Sequence, residues 1–459
     1  MKADLLDNTT FAPASEADWR ALVDKALKGA SFDQTLVSTS DDGIRYGPIA
    51  ARRADGVVHA RSQPESPWTV SQRVDDPQRE RAAAQLSADI EGGASGVDIC
   101  LSGASSAYGF GTPVGDIDAH LQSAASVREV RFETAMSTFA DVVAAMESAG
   151  DAFDAHIDFG FPLHENGHAD ASSDVTRAFD LDIACTVLRA DGRVAHNAGA
   201  SEAQELAFAL AAAAEGLRLA EKCGIDPESA LAATEFALAA DQDQFLTIAK
   251  FRAMRRLHAH MLDAVGIGEP FAAHLHAETS FRMLTRRDPE TNILRNTIAV
   301  FAAGVAGADS ISVLPHTMGL GLPDRFARRI ARNTQTVLID ESHLAHVLDP
   351  AAGAGGIEQL SEALAERAWD MFRQVESEGG LLRSIADGAM TARIAQMRRE
   401  RDEAIASGQR TMIGTTLYRA ANERAVSLLQ ERNAAAVSAS QTGLAPIQLD
   451  EAFAKENAA

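Results

Sequence analysis

An α/β fold, a (β/α)8 TIM barrel with an N-terminal arm and a helical C-terminal extension, is what this sequence predicts. Three observations carry it. Short β-branched runs alternate with Ala-rich amphipathic segments from Trp68 onward. Eight such runs fit within about 270 residues, the usual length of a closed barrel. At 46% apolar and 23% charged residues, the 459-residue chain can bury a core of that size.

In order, the strand candidates are "WTVSQRV" (68–74), "GVDICLS" (96–102), "VREVRFE" (127–133) and "FDAHIDF" (153–159). "DIACTVL" (182–188), "ALAATEFAL" (230–238), "FAAHLHAE" (271–278) and "DSISVLP" (309–315) follow. Helical patterns such as "PQRERAAAQLSADIEGG" and "DQFLTIAKFRAMRRLHAHMLDAVG" separate them, so the strands must run parallel. Ser201 with Gln204 makes a capping box for a helix ending at Gly224. Asp288-Pro289 reads as N-cap and N1 of the next-to-last barrel helix, and Pro323 as N1 of the last.

Four segments are expected. Residues 1–65 form an arm with one helix ("EADWRALVDKALKG") and extended chain, and residues 66–340 form the barrel. Residues 341–430 form a helical extension or linker, and 431–459 an irregular, polar tail.

Composition narrows function. A net charge of −23 argues against nucleic acid as a partner. Two basic stretches, "RMLTRR" (282–287) and "DRFARRIAR" (324–332), could meet an anion but read as solvated helix faces. No apolar run approaches about 18 residues and no secretory leader is visible, so the expected location is cytoplasmic. Cys100, Cys185 and Cys223 are odd in number and far apart, as expected of reduced thiols.

Three motifs invite chemistry. "GRVAHNAGAS" (192–201) sits between a strand and a helix, where a barrel places its active site. His274-x-His276, with Glu278, resembles a metal pair, since alternation turns both rings to one face. It lies on the seventh strand, and hydrogen-bonded barrel histidines are the preferred reading. "DPAAGAGGIEQL" (349–360) lacks the Gly-Lys-Ser/Thr ending of a phosphate loop and reads as structural.

Several long stretches together resemble the acyl-CoA-binding barrel of methylmalonyl-CoA mutases. They are residues 279–315, residues 322–360, "SPWTVSQRV", "NAGASEAQELAFAL" and "DQFLTIAKFRAMRRLHA", in fixed order over about residues 15 to 420. The resemblance implies isomerisation of a branched to a linear acyl-CoA with adenosylcobalamin, whose lower ligand is a His in Asp-x-His-x-x-Gly. Only about 40 residues follow the linker-like "RDEAIASGQRTMIGTTLYR" (401–419), and that motif is missing, so no cobalamin module is expected in this chain. Asp154-Ala-His156 ends in Phe159 and Asp118-Ala-His120 in Ser123.

The resemblance also implies which seats have been lost. The Tyr-His pair of catalytic members falls on Arg193 and Val194, and valine cannot donate to an oxyanion. The strand-one Tyr falls on Arg73, expected to pair with Asp75 or Asp76. His196, two residues on, points elsewhere and is not expected to substitute.

The expected role is therefore the non-catalytic small (β) subunit of a heteromeric methylmalonyl-CoA mutase. It would have no catalytic, cofactor-binding or metal residues of its own, and adenosylcobalamin would be held by a large catalytic partner. Acyl-CoA binding by this chain itself is doubtful on this reading. The alternatives are a catalytic barrel paired with a separate cobalamin subunit, and a stand-alone acyl-CoA-binding barrel.

Overall fold

The computed structural model describes residues 15–150, 154–433 and 442–451. Parts of the expected arm (1–14) and tail (434–441, 452–459) lie outside the described residues.

Eight parallel strands close into a barrel. They are β1 (Thr69–Val74), β2 (Gly96–Cys100), β3 (Glu129–Glu133), β4 (His156–Pro162), β5 (Cys185–Asp191), β6 (Thr234–Ala240), β7 (His274–Thr279) and β8 (Ser310–Ser312). Closure comes where Ser310 registers with Thr69 on one side and His276 on the other. Each of the eight sequence candidates overlaps one barrel strand.

The outward face of the strands is apolar, as in an ordinary barrel, but the lumen face is ionic. Val130 and Phe132 of β3, Phe236 of β6 and Leu275 of β7 join the apolar core under the helices. Their neighbours Arg131, Glu133, Glu235, His276 and Glu278 are also buried; Arg131 bonds to Glu133, Glu235 and His276 in the lumen, and Glu278 pairs with Arg193. Side chains on a strand change face at every residue, so one face can be apolar and the other ionic.

The helices obey their local signals with two exceptions. Ser201 accepts from Gln204 N while Gln204 accepts from Ser201 N, and Glu202–Cys223 ends on Gly224 at φ 73°. The helix expected from Asp288-Pro289 starts at Thr291 instead. Asp288 has φ 45°, outside the extended region typical of a side-chain N-cap, and its carboxylate accepts from the Thr291 hydroxyl. Pro323 is not N1 either. It ends a short strand, β9 (Gly321–Pro323), and Asp324 caps Arg325–Asp340 by accepting from Ala327 N.

The arm contributes the helix Glu16–Leu27 and a small hairpin, then crosses the glycine-rich stretch before the helix Gly355–Ser377. A Cβ on Gly355 would stand 1.8 Å from the Ala51 carbonyl, so those glycines seat the arm. Two helices follow Gly355–Ser377, namely Leu381–Ala386 and Ala389–Ala406, and β10 (Leu428–Glu431) pairs antiparallel with β9. Among the described residues no helix is long and apolar enough to cross a membrane.

Trp68 fastens β1 to this shell. It is 1% exposed, its indole donates to Gln335 Oε1 at 3.1 Å, and Gly304 leaves its ring room. Trp68→Ala is expected to destabilise the chain by about 3–5 kcal/mol in urea unfolding, through lost burial and a cavity. Trp68→Phe should cost less.

Candidate functional site

The two arginines on the seats singled out in the sequence are anchored, not free. Arg73 donates to Glu278 at 2.9 Å, Asp75 at 3.2 Å and the Ser106 carbonyl at 2.8 Å. The expected pairing thus falls on Asp75, with Glu278 added, while Asp76 serves Arg81 and Gln85. Arg193 forks onto Glu133 at 2.9 and 3.0 Å and onto Asp191 at 2.7 and 2.8 Å. It begins a short helix, Arg193–Ala198, which Gly199 ends in the left-handed region.

Deeper in, Arg131 and Arg189 complete a network. Arg131 reaches Glu235, Asp98, Glu133 and His276, while Arg189 reaches Glu235, Asp158 and the Phe132 carbonyl. Four arginines thus face eight carboxylates: Asp75, Asp98, Glu129, Glu133, Asp158, Asp191, Glu235 and Glu278. That imbalance appears in the acidities. Burial raises Asp158 to about 7, and the neighbouring Glu235 adds to the effect. Burial opposes ionisation of Glu133 and Glu235 too, yet the guanidiniums beside them hold both well below the usual range.

His196 is fully buried, with Nδ1 2.8 Å from Glu205 and Nε2 2.9 Å from Ser280 Oγ. Burial first, then Arg282 and Lys250, push it well below its ordinary value, so it is a neutral core imidazole. Among the described residues, His196, Glu202 and Glu205 are the group with metal-like spacing. Lys250 Nζ already stands 2.5 Å from Glu202 and 2.6 Å from Glu205, filling the place of a cation.

His276 accepts from Arg131 at 3.0 Å and lies 2.8 Å from Ser310 Oγ. His274 belongs to the opposite mouth. Burial opposes its protonation, but Glu235, Asp309 and Glu129 raise it to about 9. The two rings serve different neighbours, as hydrogen-bonded barrel histidines do. Cys100 is buried and pushed up to about 12, an inert thiol.

The basic stretches are not solvated faces throughout. Arg282 holds the His196 and Ala200 carbonyls, and Arg328 and Arg332 clasp Asp89 from the last barrel helix. Arg325 and Arg329 do face solvent.

One residue that sequence reading missed is Tyr108, at φ 50° in the loop after β2. Its ring stacks on Phe281 at 4.4 Å, and its hydroxyl donates to Glu278 at 2.7 Å and accepts from Asn197 at 3.0 Å. The only sequence signal was a Tyr before Gly in a strand-end loop. Beneath it, the space lined by Asp191, Arg193, Val194 and Asn197 is about 10 Å3, enough for one water. A cavity of about 500 Å3 lies beside it, and one of about 300 Å3 opens at the opposite mouth around Arg61, Glu129, His156 and His274.

A family model described as methylmalonyl-CoA mutase matches residues 185–452. A methylmalonyl-CoA mutase small subunit of Streptomyces virginiae is 35% identical, over 96% of this chain and 76% of that protein. A probable small subunit of Mycobacterium tuberculosis (strain ATCC 25618 / H37Rv) is 44% identical over 50% of this chain and 38% of that relative. The small subunit of Propionibacterium freudenreichii subsp. shermanii is 42% identical over 47% and 34%. The latter two alignments thus span well under half of those relatives.

Two variants probe the network. Arg131→Met leaves Glu235 and Asp98 buried without their main counter-charge and is expected to cost about 3–5 kcal/mol in chemical unfolding. Asp158 gives a pH signature. Its folded pKa lies above the ordinary 3.8. The stability tied to its proton is therefore complete below that value and lost as pH rises toward 7. Asp158→Asn has no proton to lose, so its stability should fall less than the parent's between about pH 5 and about pH 8.

Proposed function

The chain belongs to the methylmalonyl-CoA mutase family, and from that premise we propose that it is the non-catalytic small (β) subunit of a heteromeric, adenosylcobalamin-dependent mutase. The large partner holds the cofactor and interconverts methylmalonyl-CoA and succinyl-CoA, and this chain stabilises it. The names of the relatives, which call them small subunits, support a larger partner.

One observation carries the reading. Where the family resemblance puts a phenol and an imidazole, Arg193 and Val194 line space for about one water, and Arg73, on the other lost seat, is tied to Glu278. A thioester has no room there, and valine offers it no hydrogen bond. The residues at this face do not fit the cofactor either, since charged pairs and Tyr108 fill the mouth where it would need open apolar surface. In this reading the described parts of the arm (1–65) and the extension (341–430) are packing elements around the barrel (66–340), and residues 442–451 of the tail (431–459) rest on its mouth.

Co-expression tests the assignment. The chain should co-purify with a large mutase subunit from the same genome, and turnover should require that partner. Alone, supplied with adenosylcobalamin and methylmalonyl-CoA, it should form no succinyl-CoA. Turnover by the lone chain would refute the assignment.

A further inference from the structure

The C-terminal mouth of the barrel is covered by the chain itself. Residues 442–451 cross it without regular secondary structure up to the last residue, yet Leu444, Ile447, Gln448, Leu449 and Asp450 are all buried. The Ile447 amide donates to the Asn197 carbonyl at 2.8 Å, on the helix that carries Arg193 and Val194. Leu449 N donates to the Arg282 carbonyl at 3.1 Å, and Gln448 Nε2 to the Leu284 carbonyl at 2.9 Å. Asp450 accepts from the Arg286 amide at 2.7 Å and from the Arg287 amide at 3.4 Å. The barrel is shaped to receive this segment, since a Cβ on Gly319 would stand 2.3 Å from Gln448 Nε2.

Pro446 shows what the segment does. It is a shared wall of three spaces: the cavity of about 500 Å3 beside Tyr108, the water-sized gap at Arg193 and Val194, and one of about 280 Å3 beside Phe281 and Arg432. The segment therefore runs through what would otherwise be one chamber at the end of a barrel where loops carry chemistry. Ligand chambers of several hundred Å3 are ordinary. This one is divided by the protein's own chain.

We propose that residues 442–451 are a strap that keeps the C-terminal mouth of this barrel closed to the cofactor-bearing domain of a partner subunit. The inference rests on the family reading for which face that is and for that partner. Closure is then independent of the lost side chains: restoring a phenol at 73 and an imidazole at 194 would leave the mouth covered. An irregular segment held by a few hydrogen bonds opens without unfolding the barrel, which is the ordinary behaviour of low-stability elements.

The test introduces a thiol under the strap. In Val194→Cys, labelling by a bulky maleimide is followed peptide by peptide by mass spectrometry, with Cys185 and Cys223 as internal controls. Adding either Leu444→Asp or the pair Gln448→Ala and Asp450→Ala should speed labelling at position 194 by about tenfold or more and leave both controls unchanged. An unchanged rate at 194 overturns the proposal. So does equal acceleration at the controls, which would make the segment part of the barrel's own fold. Should Val194→Cys not fold, hydrogen exchange at residues 282–287, with and without the strap substitutions in the native background, reads the same opening. No mutase activity is measured, so the strap can fail while the subunit assignment stands, and the reverse.

Discussion

The structure depends on an ionic lumen. Arg73, Arg131, Arg189 and Arg193 project inward from three strands and a strand end, and carboxylates from seven strands or their ends meet them. Most barrels fill this space with branched apolar side chains. Here the filling is polar, and each charge is tolerable only because several partners surround it. Such networks are weak sources of net stability, because desolvation offsets much of the attraction. They are strict about geometry, since removing one member strands its neighbours. Register and closure are bound to this set.

The same network sets what the barrel can hold. Its upper layer is Arg73 with Glu278 and Arg193 with Glu133. Its middle layer, Arg131 with Glu235 and Asp98, lies deeper in the lumen. What remains among these spaces is two cavities at the C-terminal mouth, one at the opposite mouth and a water-sized gap beside Arg193. Acid–base imbalance adds a second consequence. With more carboxylates than guanidiniums, the network shares protons unevenly, and Asp158 keeps one toward neutral pH while Glu133 and Glu235 do not.

Outside the lumen the packing is conventional. Apolar faces of the strands meet Ala-rich helices, and glycines appear where chains cross closely, as at Gly355 under the arm and Gly304 beside Trp68. Lys250 between Glu202 and Glu205, and Asp89 between Arg328 and Arg332, repeat the lumen's logic in smaller form. Each is a buried charge made stable by at least two partners.

The sequence by itself determined the eight strands and most of the helices between them, because period-two and helical patterns are local and survive any tertiary context. It also determined the identities at positions 73, 193 and 194, since a family register needs only order and spacing. It misjudged Asp288-Pro289 and Pro323, where tertiary packing claimed the backbone for a turn and a strand. Only the tertiary structure decided that Arg328 and Arg332 face inward, that Tyr108 arrives at the mouth from another loop, and that residues 442–451 lie across it. Those contacts join residues far apart in the chain, and no local periodicity records which distant partner a side chain will meet.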